Sequence, residues 1–427
     1  MKAAIIGAGL GGLLSAARLS QEGYDVEVFE RLPIIGGRFT NIDCQGFQLS
    51  TGALHMLPHG PTGPLAGLLN NVGADVNIVR SIPMAMIRIP SQKGDLDYTN
   101  GYTDIPFSKF GSRFSLWNRL KLSLLLITTR QVTPKNCSLE EWITKHLNER
   151  HAHRTANAFC GWSLSLKSKD VPVEEAFEIF ENLYRYGGTG IPKGGCKAIT
   201  DALAKVVTTN GGMIHTSTEV TGVITDNGQA SGVTVDGVDH TADLVISDIG
   251  HIATEELCTT SPRSEEYERY INKLKELKPS AGLKICLAAN EPLIGHSGVL
   301  LTPYTRRVNG INEVTNVDPN LAPPGKHLVM AHQCVAWDRI DAIEDEIELG
   351  LQDLKEIFPN KNYEVLLIQS HHNGWPVNRS SSGTDIGNVT PFDGLYVVGD
   401  GAKGKGGIEV EGIALGVIDT MTNILGK

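Results

Sequence analysis

Ala3 to Ile6 are four consecutive apolar residues, and glycines follow at positions 7, 9, 11 and 12. A run this short cannot cross a bilayer, and it matches a strand buried within a parallel sheet. Leu10 to Gln21 then carries apolar residues at helical spacing, and Val26 to Glu30 is a second apolar run that ends on an acid. The pattern predicts strand, tight turn, helix and strand. Similar runs return much later. "ADLVISD", Ala242 to Asp248, is one; "LYVV", Leu395 to Val398, is another and leads through a glycine-rich loop into an apolar closing helix.

The pattern between these runs is different. Arg31 to about Val79 is loop-rich, and short strand signals near Met84 to Ile89 give way to helices rich in Leu, Trp and Glu. "YGGTGIPKGGCKAITDALAKVV" is a glycine-rich loop feeding a helix at about Ala198 to Val207. Three short strands follow, with Asn227-Gly228 and Asp236-Gly237 as hairpin turns. Glu265 to Leu277 and Asp341 to Ile357 read as helices, and "AGLKICLAAN", "HLVMAHQCVAW" and "YEVLLIQSHHNGW" as strands. This order predicts an α/β protein of two discontinuous domains. Residues 1–80, 190–250 and 385–427 form a Rossmann-type nucleotide domain; 81–189 and 251–384 form a mixed-sheet substrate domain with a helical cap.

Composition narrows the partners. The chain has 427 residues, 41% of them hydrophobic, which is enough for two cores. Its formal charge of −10 argues against nucleic acid. Seven scattered cysteines without a C-x-x-C pair predict a reduced, cytoplasmic protein, and no His and carboxylate spacing suggests a metal. "LWNRLKLSLLLITTR", Leu116 to Arg130, reads first as a core helix. Its interleaved Arg119, Lys121 and Arg130 also make it a candidate for peripheral contact at the inner membrane face.

The chemistry begins in the first turn. Gly7, Gly9 and Gly12 form G-x-G-x-x-G between strand and helix, with Ala8, Leu10 and Gly11 interleaved. The first glycine allows the turn, the second lets backbone approach a diphosphate, and the third lets helix lie on strand. Free N–H groups and a partial positive charge at the helix start receive the anion. Glu30, with Arg31 beside it, stands where an acid accepts from a ribose diol. The doublet Gly36-Gly37 followed by Arg38 suits an extended FAD that must thread past this unit. Gly399-Asp400, at the carboxyl end of an apolar strand, adds an acceptor for a ribityl hydroxyl. Gly406-Gly407 then opens a helix whose N–H groups can face the flavin and stabilise negative charge on the reduced ring.

These three pieces together resemble the FAD-dependent amine oxidase and phytoene desaturase superfamily. "GGRFTNIDCQGFQLSTGALH" and "GIPKGGCKAITDALAKVVTTNGGMIHTSTEVTGV" are similar to the desaturase branch. The resemblance implies a GR2-type FAD domain with non-covalent FAD. It carries adenine contact to Val220, and contact with the flavin edge to Glu409 and Val410. The small-residue run Gly52, Ala53 and Leu54 is expected to pass the ring. Lys284 matches a lysine that binds water near flavin N5 in amine oxidases. His55 reads as a satisfied wall histidine or as a candidate for proton transfer, and Trp375 is a candidate aromatic beside the flavin. Glu409 stands where amine oxidases place an aromatic, and Ser50 where many desaturases have an aspartate.

The expected reaction is hydride transfer from a carbon of an apolar isoprenoid-type substrate to flavin N5, as in a desaturase or saturase. Oxygen, a quinone or another acceptor then takes the electrons. A flavin amine oxidase is the alternative, and a non-catalytic prenyl or lipid carrier on the same fold is a second one. The apolar reading predicts an elongated tunnel walled by Phe159 to Tyr186, Leu54 and Trp375.

Overall fold

A computed structural model describes residues 1–52, 54–92, 94–129, 134–262, 264–372 and 381–426. Ala53 and Trp375, both expected near a ligand, lie outside the described residues.

The first apolar runs assemble as read. β1 (Lys2–Ile6) pairs in parallel with β2 (Asp25–Phe29) on one side and β13 (Leu244–Ser247) on the other. β9 (Met213–His215) extends the sheet beyond β2, and β19 (Leu395–Val397) extends it beyond β13. Every neighbouring pair is parallel, which aligns all the strand ends on one edge. Helices α1 (Leu10–Gln21), α2 (Pro64–Asn71), α7 (Gly195–Thr209) and α11 (Glu409–Leu425) bury their apolar stripes against this sheet in one core. The other face packs on a three-stranded meander, β10 (Val220–Asp226), β11 (Gln229–Val235) and β12 (Val238–Thr241). Its turns fall at Asn227-Gly228 and Asp236-Gly237, all four with positive φ as a tight hairpin requires.

A second sheet of seven strands runs in the order β18-β14-β17-β16-β15-β6-β7. Its strands are β6 (Ala85–Pro90), β7 (Tyr102–Pro106), β14 (Ala281–Ala289), β15 (Val299–Leu301), β16 (Val308–Glu313), β17 (His327–Val335) and β18 (Tyr363–His371). The sheet is antiparallel except for the β15–β6 pair. All nine residues of β14 are buried, so the strand is covered on both faces. Ile285, Leu287 and Ala289 point to the core shared with α10 (Ile343–Ile357). Cys286 and Ala288 point the other way, to a core shared with α4 (Leu139–His146), α5 (Arg150–Leu164) and α6 (Val173–Tyr186). Side chains alternate along a strand, so Lys284 belongs to this second face. Two small ribbons, β3 (Asn41–Cys44) with β4 (Phe47–Ser50) and β5 (Ile78–Arg80) with β8 (Gly190–Pro192), complete the strands. α8 (His251–Glu256) and α9 (Glu265–Glu276) complete the helices described.

α3 (Leu116–Thr129) departs from a plain core helix. Leu122 and Leu125 pack inward on the core. Leu116, Trp117, Leu120 and Leu124 are 71, 78, 57 and 63% exposed. At about 100° per residue those four form one contiguous stripe, and Lys121 and Arg119 flank it on either side. Among the described residues no helix is long and apolar enough to cross a membrane.

Candidate functional site

A cavity of about 800 Å³ opens at the carboxyl ends of β1, β2 and β13 and extends to the far face of the mixed sheet. The first turn forms its floor. Gly7 has φ +91°, and its N–H donates to the Phe29 carbonyl at 2.8 Å. A Cβ on Gly12 would collide with the Gly7 carbonyl oxygen, so only glycine lets α1 lie this close. Glu30 is buried where β2 ends. Its carboxylate accepts from Ala8 N at 2.8 Å and from Leu32 N at 2.9 Å, which fixes the loop.

The later motifs converge on the same space. Gly36 N donates to the Ala8 carbonyl at 2.7 Å, and a Cβ on Gly37 would stand 3.7 Å from the Gly9 Cα. Arg38 pairs with Asp400 at 3.0 Å, tying the loop after β2 to the loop after β19. Gly7, Gly9, Leu10, Glu30, Arg31, Gly36, Gly37, Arg38, Gly52, Leu54, Val220, Asp400, Glu409 and Val410 all line the cavity. Gly399 sits just beneath, with its N atom 2.7 Å from where a Gly11 Cβ would be. A cradle of bare glycine backbone, two acids at strand ends and one arginine fits an extended dinucleotide.

The expected catalytic residues behave differently. Lys284 is 1% exposed, and its Nζ donates to both the carbonyl and the Oγ of Ser50 at 2.6 Å. Burial lowers its pKa to about 8. It lies behind the wall formed by Thr51 and Gly52 and is not among the lining residues. His55 does not reach the cavity either. Its Nδ1 accepts from Cys196 N at 3.0 Å and its Nε2 donates to the Gln48 carbonyl at 2.9 Å. Burial pushes its pKa down to about 4, so it is a neutral wall histidine with both ring nitrogens engaged.

The motif reading missed other residues. Antiparallel register sets His332, Lys284 and Gln369 side by side on β17, β14 and β18, and directly opposed residues share a face. In the next row, Gly282 lies between Cys334 and His371. A Cβ on Gly282 would be 2.8 Å from the His371 ring, so this glycine lets the imidazole lie over the sheet. The two histidine rings stack 6.2 Å apart, and His332 Nε2 meets Ser165 Oγ at 3.3 Å. His332, Gln369, Ser370 and His371 make the far end of the cavity polar. The predicted tunnel wall is corrected here: among the described residues Leu54 lines the cavity and the cap residues Phe159 to Tyr186 do not. Asp248, at the end of β13, also lines it. A histidine inside an apolar strand and an acid ending one were the available signals.

Comparison with known proteins agrees with this geometry. A family model described as flavin containing amine oxidoreductase matches residues 10–412. An uncharacterized protein of Methanocaldococcus jannaschii is 43% identical, covering 99% of both chains. A prolycopene isomerase of Daucus carota is 23% identical over 96% of this chain and 78% of its own. A 4,4'-diapophytoene desaturase of a Methylomonas species is 28% identical over 58% of this chain and 54% of its own. Among solved structures, an oxidoreductase from Methanosarcina mazei is 61% identical, with TM-score 0.96, covering 99% of this chain and 100% of its own. A putrescine oxidase shares the fold at 15% identity and TM-score 0.73, covering 100% of each chain. The chain therefore belongs to the flavin-containing amine oxidoreductase family and is an FAD-dependent oxidoreductase.

Proposed function

We propose that this oxidoreductase acts on an apolar, isoprenoid-type substrate that it takes from a lipid surface, as a desaturase. The observation that carries the reading is α3. Its stripe of Leu116, Trp117, Leu120 and Leu124 is exposed, and Arg119 and Lys121 flank it. A tryptophan and leucines with basic neighbours suit the boundary of an anionic bilayer, where cations meet headgroups and the stripe enters the acyl region. Peripheral contact of this kind would give a water-insoluble substrate a route to the protein.

In this reading the loop from Gly7 through Ala8, Gly9, Leu10 and Gly11 to Gly12 would hold the diphosphate of FAD. Glu30 would hold the ribose, with Arg31 beside it, and Val220 the adenine. Gly36, Gly37, Arg38, Gly399 and Asp400 would receive the ribityl chain. Gly52, Leu54, Glu409 and Val410 would border the ring. When bound, FAD supplies a two-electron hydride acceptor at N5. The chain's own part is to position the substrate carbon, to exclude water, and to handle the proton through the His332 and His371 imidazoles.

Two measurements test the reading. The protein should sediment with phosphatidylglycerol vesicles, and Trp117→Ser with Leu120→Ser should release it. Anaerobically, a C40 polyene in those vesicles should bleach the flavin absorbance, whereas putrescine should not. Bleaching by putrescine alone would replace this reading with that of an amine oxidase.

A further inference from the structure

α1 has no side-chain cap of its own: its N-cap is Gly9, and no local hydroxyl or carboxylate accepts from its first turn. The cap comes from far along the chain. Asp248, the first residue after β13, lies half-buried against this helix start, where it lines the cavity, and its Oδ2 accepts from Gly12 N at 2.9 Å. Three glycines make room for it. A Cβ on Gly9 or on Gly399 would collide with the carboxyl, and one on Gly11 would sit 2.9 Å from its Oδ1. The carboxyl thus occupies the anion-receiving end of α1, the end that a dinucleotide diphosphate also needs.

Two anions cannot share this place cheaply. The groups facing Asp248 add to the problem. Glu30 approaches from the end of β2 and Asp400 from the loop after β19, and the nearby cation, Arg38, is engaged with Asp400. The turn from Gly7 to Gly12 contributes no titratable side chain. Burial, reinforced by the Glu30 and Asp400 charges, holds the Asp248 carboxyl well above the ordinary carboxylate range, against the backbone donors that lower it.

We propose that Asp248 is a positioning residue of the FAD site that carries a proton whenever the cofactor is bound, so that a neutral acid and the diphosphate share the N-terminus of α1. A protonated carboxyl keeps one oxygen as acceptor for Gly12 N. Its O–H becomes a donor towards the anion. The consequence is proton-linked cofactor affinity. The diphosphate raises the tendency of Asp248 to hold its proton, so binding is strongest at low pH. Affinity falls as pH rises through the range in which the free protein loses that proton, by up to tenfold per pH unit. The inference rests on FAD binding and on no particular substrate.

The test is FAD binding to the apoprotein, followed by fluorescence quenching from about pH 5 up to the highest pH at which the apoprotein stays folded. Calorimetry at one pH in phosphate and in Tris, whose ionisation enthalpies differ, counts the protons. The expected result is a Kd that rises towards tenfold per pH unit, with uptake approaching one proton per FAD. Asp248→Asn keeps the shape and the acceptor for Gly12 N. It should bind FAD with the low-pH affinity of the parent at every pH and take up no proton. A parent Kd that does not change with pH, or an Asn variant with the parental slope, would overturn the proposal. So would an Asn variant that is weaker at all pH values, since it would show that an ionised cap is required. The calorimetric count on the parent decides the matter even if the variant folds poorly.

Discussion

The two sheets present their chemistry in different ways. The parallel sheet works from its ends. Gly7, Glu30, Asp248 and Gly399 follow four neighbouring strands or sit just beyond them, and what they offer is bare glycine backbone and two strand-end carboxyls. The mixed sheet works from a face. His332, Lys284 and Gln369 lie in one row across three strands, and what they offer is side chains. Strand ends concentrate function in turns, where glycine is required by geometry. A sheet face spreads it over residues far apart in sequence, each flanked by ordinary apolar neighbours.

Glycine substitutions should break this contrast most visibly. Gly12→Ala drives a Cβ into the Gly7 carbonyl, and backbone cannot yield as a side chain can. It should cost at least about 3 kcal/mol and abolish FAD incorporation, read as flavin per protein after purification. Gly282→Ala meets the His371 ring and the Gln333 carbonyl in the mixed sheet. It should cost about 1 kcal/mol and leave the FAD content normal. Equal loss of flavin in both would erase the distinction.

Buried charges sharpen it through opposite pH slopes. Glu411, on α11, accepts from Leu65 N at 2.8 Å and from His59 N at 3.3 Å, and burial raises its pKa to about 7. The folded state then binds more protons than the unfolded state between about pH 4.5 and 7, so stability falls across that window by about 3 kcal/mol. Lys284 titrates near 8 instead of 10.5. The folded state binds fewer protons between those values, so its contribution to stability rises with pH there by a similar amount, on the order of 3 kcal/mol. Urea unfolding of the apoprotein should show each slope, and Glu411→Gln and Lys284→Met should each remove one and leave the other.

Two smaller effects concern the cofactor. Glu30→Ala removes the acceptor for Ala8 N and Leu32 N together with the proposed ribose contact. FAD should bind more weakly by about 1.5–3 kcal/mol, measured as a Kd. Lys284→Met should leave reoxidation of the reduced flavin by oxygen at the parental rate, with FAD content unchanged, because Lys284 anchors Ser50 outside the cavity. A marked slowing would instead place its ammonium at the flavin.

What was legible follows the same division. The order of strands and helices, the hairpins at Asn227-Gly228 and Asp236-Gly237, and the convergence of Gly7, Glu30, Arg38 and Asp400 could be read from spacing, because turns constrain residue type locally. His332 could not, since its meaning depends on strand register with Lys284 and Gln369, which no single segment contains. Asp248 looked like the end of a strand, because the helix it caps lies more than two hundred residues earlier. For His55 sequence leaves proton transfer and a wall histidine side by side, and only the fold, where Cys196 N and Gln48 O take both ring nitrogens, selects the wall histidine.

The interleaved strand order also governs how the molecule is born. β1 and β2 are made close together, yet β1 lacks its partner β13 until more than two hundred further residues have followed, and β19 and Asp400 come later still. The nascent amino-terminal half must wait with an apolar parallel edge exposed, a state prone to aggregation and slow to resolve. Such a chain gains from chaperone cover during translation, and the flavin cradle closes only once Asp400 has joined Gly7, Glu30 and Arg38.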